Sequence, residues 1–233
     1  MSESIVKGPA RVLAISVVAT AVLYAVPGGR TLAWPLVLVS TLAHELGHGL
    51  AAVLLGGRFD SLAIHADASG AAIWSGSFGR FGVATVAAAG LVGPAVASFL
   101  LLALGRKPRR ARVLLAVVGA GLFVVTLLLV RNAFGWWFTA LLASACVIVA
   151  WRAPRLSQAF VVFLAVQLAL SVYSRSDYLF TQAAVSSSGT GLSDVAVIAA
   201  ALFLPYWFWG ALCGAFSLLV LYAGAKVFFR SPS

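Results

Sequence analysis

Apolar residues fall into seven long runs, with polar residues gathered between them. A helix needs about 20 apolar residues to cross the hydrocarbon core of a bilayer. The runs at 11–27, 32–55, 81–104, 113–130, 134–151, 157–173 and 205–228 approach or reach that length. Glycine, proline and charge punctuate them at Pro27-Gly28-Gly29, at 106–112, at Arg131-Asn132 and at Arg152-Ala153-Pro154-Arg155. Only a few residues separate the fourth and fifth runs, which predicts a tight antiparallel helix pair. The first run shows no small-residue cleavage site and reads as a retained helix, not as a signal peptide.

Two stretches do not fit simple spans. Gly56 to Arg80 carries Asp60, His65, Asp67, Ser69, Ser75 and Ser77, and apolar and polar positions partly alternate at Leu62-Ala63-Ile64-His65. That pattern predicts a short β-like edge segment near 57–80, at the membrane edge or dipping into a protein-lined cavity. Irregular backbone at membrane depth is tolerated only where protein or water satisfies it. Ser174 to Leu204 begins polar, with a Ser/Gly/Thr-rich loop at 186–191. Ser193 is then placed to cap a short apolar helix, 194–204, that stops at Pro205.

The pattern predicts an all-α polytopic membrane protein of about six to seven transmembrane helices. It forms one membrane-embedded domain over 1–233, with a short polar N-terminus at 1–10 and no soluble domain. Composition agrees: 62% of residues are hydrophobic, 9% are charged and the mean hydropathy is +1.05. No soluble domain of this size has enough interior to hide that much apolar surface. The net charge of +10 comes from basic residues lying almost entirely between apolar runs. They read as interface anchors for a lipid bilayer, and no nucleic-acid patch is present. The cluster Arg106-Lys107-Pro108-Arg109-Arg110-Ala111-Arg112 reads as a cytoplasmic loop held by anionic headgroups. With seven spans, ten basic residues collect on one side and six on the other, which orients the C-terminus to the cytoplasm and the N-terminus outside. Cys146 and Cys213 lie inside apolar runs and read as small buried hydrophobes, neither a disulfide nor a Cys-type zinc site.

One pentapeptide changes the picture. His44-Glu45-Leu46-Gly47-His48 sits within the second apolar run, in a chain with only three histidines. Four positions apart on a helix, the two imidazoles share a face and can meet one Zn²⁺. Glu45 then stands where a carboxylate can take a proton from a metal-bound water. Ionisable groups inside a membrane segment are expensive and mark function. The plainer alternative is a pair of helix-face histidines hydrogen-bonded to neighbouring helices. A catalytic zinc wants three protein ligands and one open position. Glu3 lies in the terminal tail, and Asp60, His65 and Asp67 lie in the edge segment, where solvated side chains need no special reason. Asp177, at the end of the sixth run, and Asp194, at the start of the short helix, remain as third ligands; Asp194 is favoured. Gly90, Gly93 and Pro94, in Ala89-Gly90-Leu91-Val92-Gly93-Pro94, either line a substrate site or let helices approach closely. Asn132 either binds a substrate backbone or developing oxyanion, or caps a helix.

Taken together, these residues resemble the site-2 protease family of intramembrane zinc metallopeptidases, in its compact bacterial branch without a PDZ domain. The likeness rests on Ala43-His44-Glu45-Leu46-Gly47-His48-Gly49, the Gly-rich segment after it and Ala89-Gly90-Leu91-Val92-Gly93-Pro94. Arg131-Asn132-Ala133-Phe134-Gly135, Ser193-Asp194 and the Trp207 and Trp209 span complete it, so that it covers about 40 to 230. The chain departs from better-known members in lacking the Asp-Gly pair that supplies their third ligand. The resemblance implies peptide-bond hydrolysis near or within the membrane, with Zn²⁺ on His44, His48 and one Asp and with Glu45 as base. It implies a membrane-protein or membrane-peptide substrate, and a bacterial inner-membrane location. Two rival readings stand beside it: a zinc-binding membrane scaffold without proteolysis, and a transporter with buried His and Glu. The sequence leaves the oligomeric state open.

Overall fold

In lipid every backbone N–H and C=O must find its partner within the protein, and a helix achieves this inside a single segment. The apolar runs accordingly fold as helices. The computed structural model describes residues 9–174, 176–186 and 189–230. Among them α1 (Pro9–Ala25) and α2 (Gly29–Leu54) lead into the hairpin β1 (Arg58–Ile64) and β2 (Gly70–Ser75). Next come α3 (Arg80–Leu104), α4 (Pro108–Leu128), α5 (Ala133–Arg152) and α6 (Ser157–Ser174). A second hairpin, β3 (Ala183–Ser186) and β4 (Gly189–Leu192), precedes the short α7 (Asp194–Leu202) and the final α8 (Tyr206–Phe229). Six of these helices are long and apolar enough to cross a membrane: α2 to α6 and α8. Helix α1 has a shorter apolar stretch, Arg11–Leu23. The protein is an all-α polytopic membrane protein carrying two small strand pairs.

Three boundaries differ from the sequence reading. The basic cluster is not a loop: α4 begins at Pro108, so only 105–107 connect α3 to α4. Proline suits the first helical position, where its missing N–H costs nothing, and arginine is a good helix former. Arg112 then donates from Nε to the Ala150 carbonyl at 2.9 Å, tying α4 to the last turn of α5. At its far end α4 stops early because Leu129 and Val130 join the first hairpin. The Leu62 N–H donates to the Leu129 carbonyl at 2.8 Å, and the Arg131 N–H to the Leu62 carbonyl at 3.0 Å. The Ser/Gly/Thr-rich stretch is a strand pair, with Ala183 opposite Leu192, and not an irregular loop; its Ser187 and Ser188 lie outside the described residues.

The β1–β2 hairpin folds back along α2. Its tip is held there by Trp34, whose Nε1–H donates to the Ala66 carbonyl at 3.1 Å, and by Thr41, whose hydroxyl donates to the Ala68 carbonyl at 2.8 Å. Asp67 shapes the turn by accepting from the Ser69 N–H at 2.9 Å and the Ser69 hydroxyl at 2.6 Å. Those two bonds hold its carboxyl below the usual aspartate range. Alternation decides the buried face: Leu62 and Ile64 are fully buried among Leu38, Leu42 and Leu122.

Helix α3 approaches α2 so closely that side chains at the contact are excluded. A Cβ on Gly47 would strike the Ala89 carbonyl, and one on Gly93 would lie 2.7 Å from the Ala43 carbonyl oxygen. Small residues at such crossings are the usual means by which membrane helices pack.

Candidate metal centre

Helix α2 supplies the first two groups. Its 3.6-residue period puts His44 and His48 on one face, with Nε2 atoms 3.1 Å apart and rings nearly perpendicular. The Nδ1 of His48 lies 2.9 Å from the Val86 carbonyl oxygen on α3. A carbonyl can only accept, so Nδ1 carries the hydrogen and the neutral ring offers Nε2 as a bare lone pair. A carbonyl holding the outer nitrogen is a common support for a metal-binding histidine.

The third group arrives from the other end of the chain. Ser193 caps α7, its hydroxyl accepting from the Ala196 N–H at 3.3 Å and donating to the Thr181 carbonyl. Val195 and Ile198 then pack on Ala84, Ala87 and Leu91 of α3. Anchored in this way, Asp194 places Oδ2 at 3.0 Å from His44 Nε2 and 3.5 Å from His48 Nε2. One donor atom from each of the three residues lies within 4.8 Å of the other two, and no other described residues form such a group.

The donor set fits a divalent metal. Asp194 Oδ2 is buried and faces the two imidazole nitrogens, with no backbone or hydroxyl donor among the described residues. A buried carboxylate oxygen without a donor is costly, and two nitrogens facing it compound the need for positive charge. One shared proton satisfies one pair among the three; a divalent cation satisfies all three donors at once. Two imidazoles and one carboxylate are ligands that zinc accepts.

Glu45 is buried and projects from the adjacent position toward β2, its carboxylate near the backbone of Ala72. Strand β2 can run this close only because residue 70 is glycine. A Cβ there would lie 2.7 Å from Glu45 Cγ and Oε1 and 2.8 Å from Thr41 Cγ2. A cleft of about 420 Å³ opens over the group. His44, His48, Asp194 and Glu45 form part of its wall, β2 another part, and Ala184, Gly191 and Leu192 of the second hairpin, with Ala87, Tyr178 and Val197, the rest.

Other residues singled out by sequence sit elsewhere. Gly90 and Gly93 face α2 and do not line the cleft: a Cβ on Gly90 would collide with the His48 imidazole. Their role is close helix approach, and Gly90 in particular leaves room for that ring. Pro94 does line a smaller cavity next to Glu45. Asn132 starts α5, yet its side chain neither caps that helix nor reaches the cleft. Its amide pairs with Ile64 of β1 like an added strand residue, accepting from the Ile64 N–H at 3.2 Å and donating to the Ile64 carbonyl at 2.6 Å. Asp60 pairs with Arg58 at 3.4 Å, and Asp67 is occupied by Ser69. Asp177 belongs to the 3-10 turn Ser176–Phe180, and its side chain lies outside the described residues. Two participants carried no sequence signal: the Val86 carbonyl, and Tyr178, whose ring stands edge-on to His44 at 5.9 Å.

Asn132→Ala leaves the Ile64 N–H and C=O without those partners. The expected loss is about 1–3 kcal/mol of stability, read as a lowered thermal midpoint in detergent. An unchanged midpoint would show that the Asn132 amide contributes nothing to holding the hairpin.

The sequence model of a family described as Peptidase M50B-like matches residues 13–224. No curated protein and no solved structure matches the chain.

Proposed function

We propose, from the premise that this chain belongs to the M50B-like peptidase family, that it is a zinc metalloprotease cutting membrane-associated proteins or peptides within a bacterial cell membrane. The observation that carries the reading is the meeting of His44, His48 and Asp194 at one point, with Glu45 beside them. His44, His48 and Asp194 would hold the metal. When bound, it lowers the pKa of water and polarises the scissile carbonyl. Glu45 accepts the water proton and returns it to the leaving amine. The His48–Val86 bond keeps the His48 Nε2 lone pair on the site throughout. His48 and Glu45 are buried, which strengthens the charge interactions they make.

A substrate helix hides its carbonyls in its own hydrogen bonds and must unwind before it is cut. Strand β2 offers a place for the unwound segment. Leu62 turns its main-chain groups toward Leu129 and Arg131, away from β2. In an antiparallel pair, its partner Ala72 then turns its N–H and C=O away from β1 as well. The Ala72 backbone lies near Glu45, so this outward edge runs past the base. An extended peptide adds to such an edge through main-chain bonds.

The strand proposal makes a sharp prediction. Proline at Ala72 removes an outward N–H that faces both the added strand and Glu45, while sparing the pairing with β1, an edge position that sheets tolerate. Cleavage should fall on the order of tenfold or more, in line with about 1.4 kcal/mol per decade. A proline scan across 60–74 that leaves cleavage intact would remove the clamp. The hydrolase reading itself is tested by incubating the purified, zinc-loaded protein with membrane-spanning peptides in detergent and reading products by mass spectrometry. Cutting that a chelator stops and zinc restores supports it; intact peptides under all conditions would overturn it.

A further inference from the structure

Beside Glu45 lies a second cavity of about 120 Å³, bordered by His44 and Glu45 themselves and not by Asp194. Six hydroxyl-bearing residues, Ser40, Thr41, Ser69, Ser171, Tyr178 and Ser217, share its lining with apolar residues such as Leu91, Pro94 and Val172. Apart from His44 and Glu45 no charged group borders it. Ser40 and Ser217 are only 3% and 2% exposed, and neither hydroxyl hydrogen-bonds to a described residue. Serines in membrane helices commonly bond back to the carbonyl four residues earlier, as Ser16 and Ser144 do here. Two hydroxyls on buried residues that forgo that bond and border a cavity are placed to hydrogen-bond whatever fills it.

We infer that this cavity is a specificity subsite that receives an uncharged polar side chain, of serine, threonine or asparagine size, next to the scissile bond of the substrate. The inference rests on the hydrolase reading above. The cavity walls include His44 and Glu45, so whatever fills it lies against the bond being cut. A peptide added to the β2 edge sends alternate side chains to opposite faces, and one of those faces looks onto α2. The absence of other charges disfavours an ionised side chain, which would be left unpaired. An aliphatic side chain would fit the apolar part of the wall but leave the Ser40 and Ser217 hydroxyls without partners. A site built to hydrogen-bond a substrate group rejects the analogue lacking that group.

The test is cleavage-site profiling of the zinc-loaded protein on a randomised, detergent-soluble peptide library, with products sequenced by mass spectrometry. The wild type should enrich Ser, Thr or Asn over Ala, Val or Leu at one position flanking the cut, by tenfold or more. Ser40→Ala combined with Ser217→Ala should erase most of that enrichment, and the Thr-for-Ser pair of substitutions, which keeps both hydroxyls, should retain it. Ser217→Leu, which fills the cavity, should shift the same position toward Gly and Ala. A wild-type profile without polar preference, or a preference that survives the double alanine variant, would overturn the subsite while leaving the protease intact. No cutting by the wild type would overturn the hydrolase reading, and the subsite with it.

Discussion

Asp194→Ala should purify without its metal, whereas Asp177→Ala should keep about one ion per chain. The reason lies in what each residue is asked to do. Asp194 Oδ2 is buried and stands 3.0 Å and 3.5 Å from the two imidazole nitrogens. Its removal leaves two imidazoles, one short of the three protein ligands of a catalytic zinc site. The loss of affinity should exceed the roughly 10–100-fold that a merely supporting hydrogen bond is worth. Elemental analysis of the purified proteins, with a competitive zinc titration, reads it directly. His44→Ala belongs in the same experiment and should also lose the metal. The opposite pattern, zinc kept by Asp194→Ala and lost by Asp177→Ala, would move the third ligand to the 3-10 turn. Equal zinc in the wild type and His44→Ala would favour the transporter or scaffold readings instead.

Glu45→Gln should keep the metal and lose cleavage by about 10²–10⁴-fold, the usual contribution of a positioned acid–base group. Glutamine has nearly the same shape, which matters here because Gly70 leaves room for this side chain and little more. Its amide oxygen can still accept from the Ala72 N–H, so the hairpin should stay in place. What it cannot do is take a proton from water. Metal content and thermal midpoint serve as the controls, and peptide cleavage as the readout. A Glu45→Gln protein that still cuts would rule out this base while leaving the metal site standing.

The runs of apolar residues located the membrane helices because a spanning segment is a local property: length and composition suffice. Where the reading slipped, the cause was a partner elsewhere. Helix α4 was expected to run to Val130, but Leu129 and Val130 leave it to bond with Leu62 of β1. Its basic start has the charge density of a loop, yet Pro108 suits the first position of a helix and the arginines continue it. The β3–β4 pair left no trace because Gly, Ser, Thr and Ala carry no alternating apolar pattern. Asn132 looked like a substrate contact or a cap, and its actual partner, the Ile64 backbone, presents no side chain for a sequence pattern to register.

On its own, the sequence determined that this is a membrane protein and that two imidazoles and a carboxylate share one stretch of a buried helix. Both follow from short-range geometry: the span of a bilayer and the period of a helix. Only the tertiary structure decided what meets that helix. Asp194 comes to His44 and His48 because Ser193 caps α7 and Val195 and Ile198 seat it on α3. Gly90 leaves room for the His48 ring, and Gly70 for Glu45. Those are contacts between segments distant in the chain, set by packing, and no periodicity within either segment encodes them.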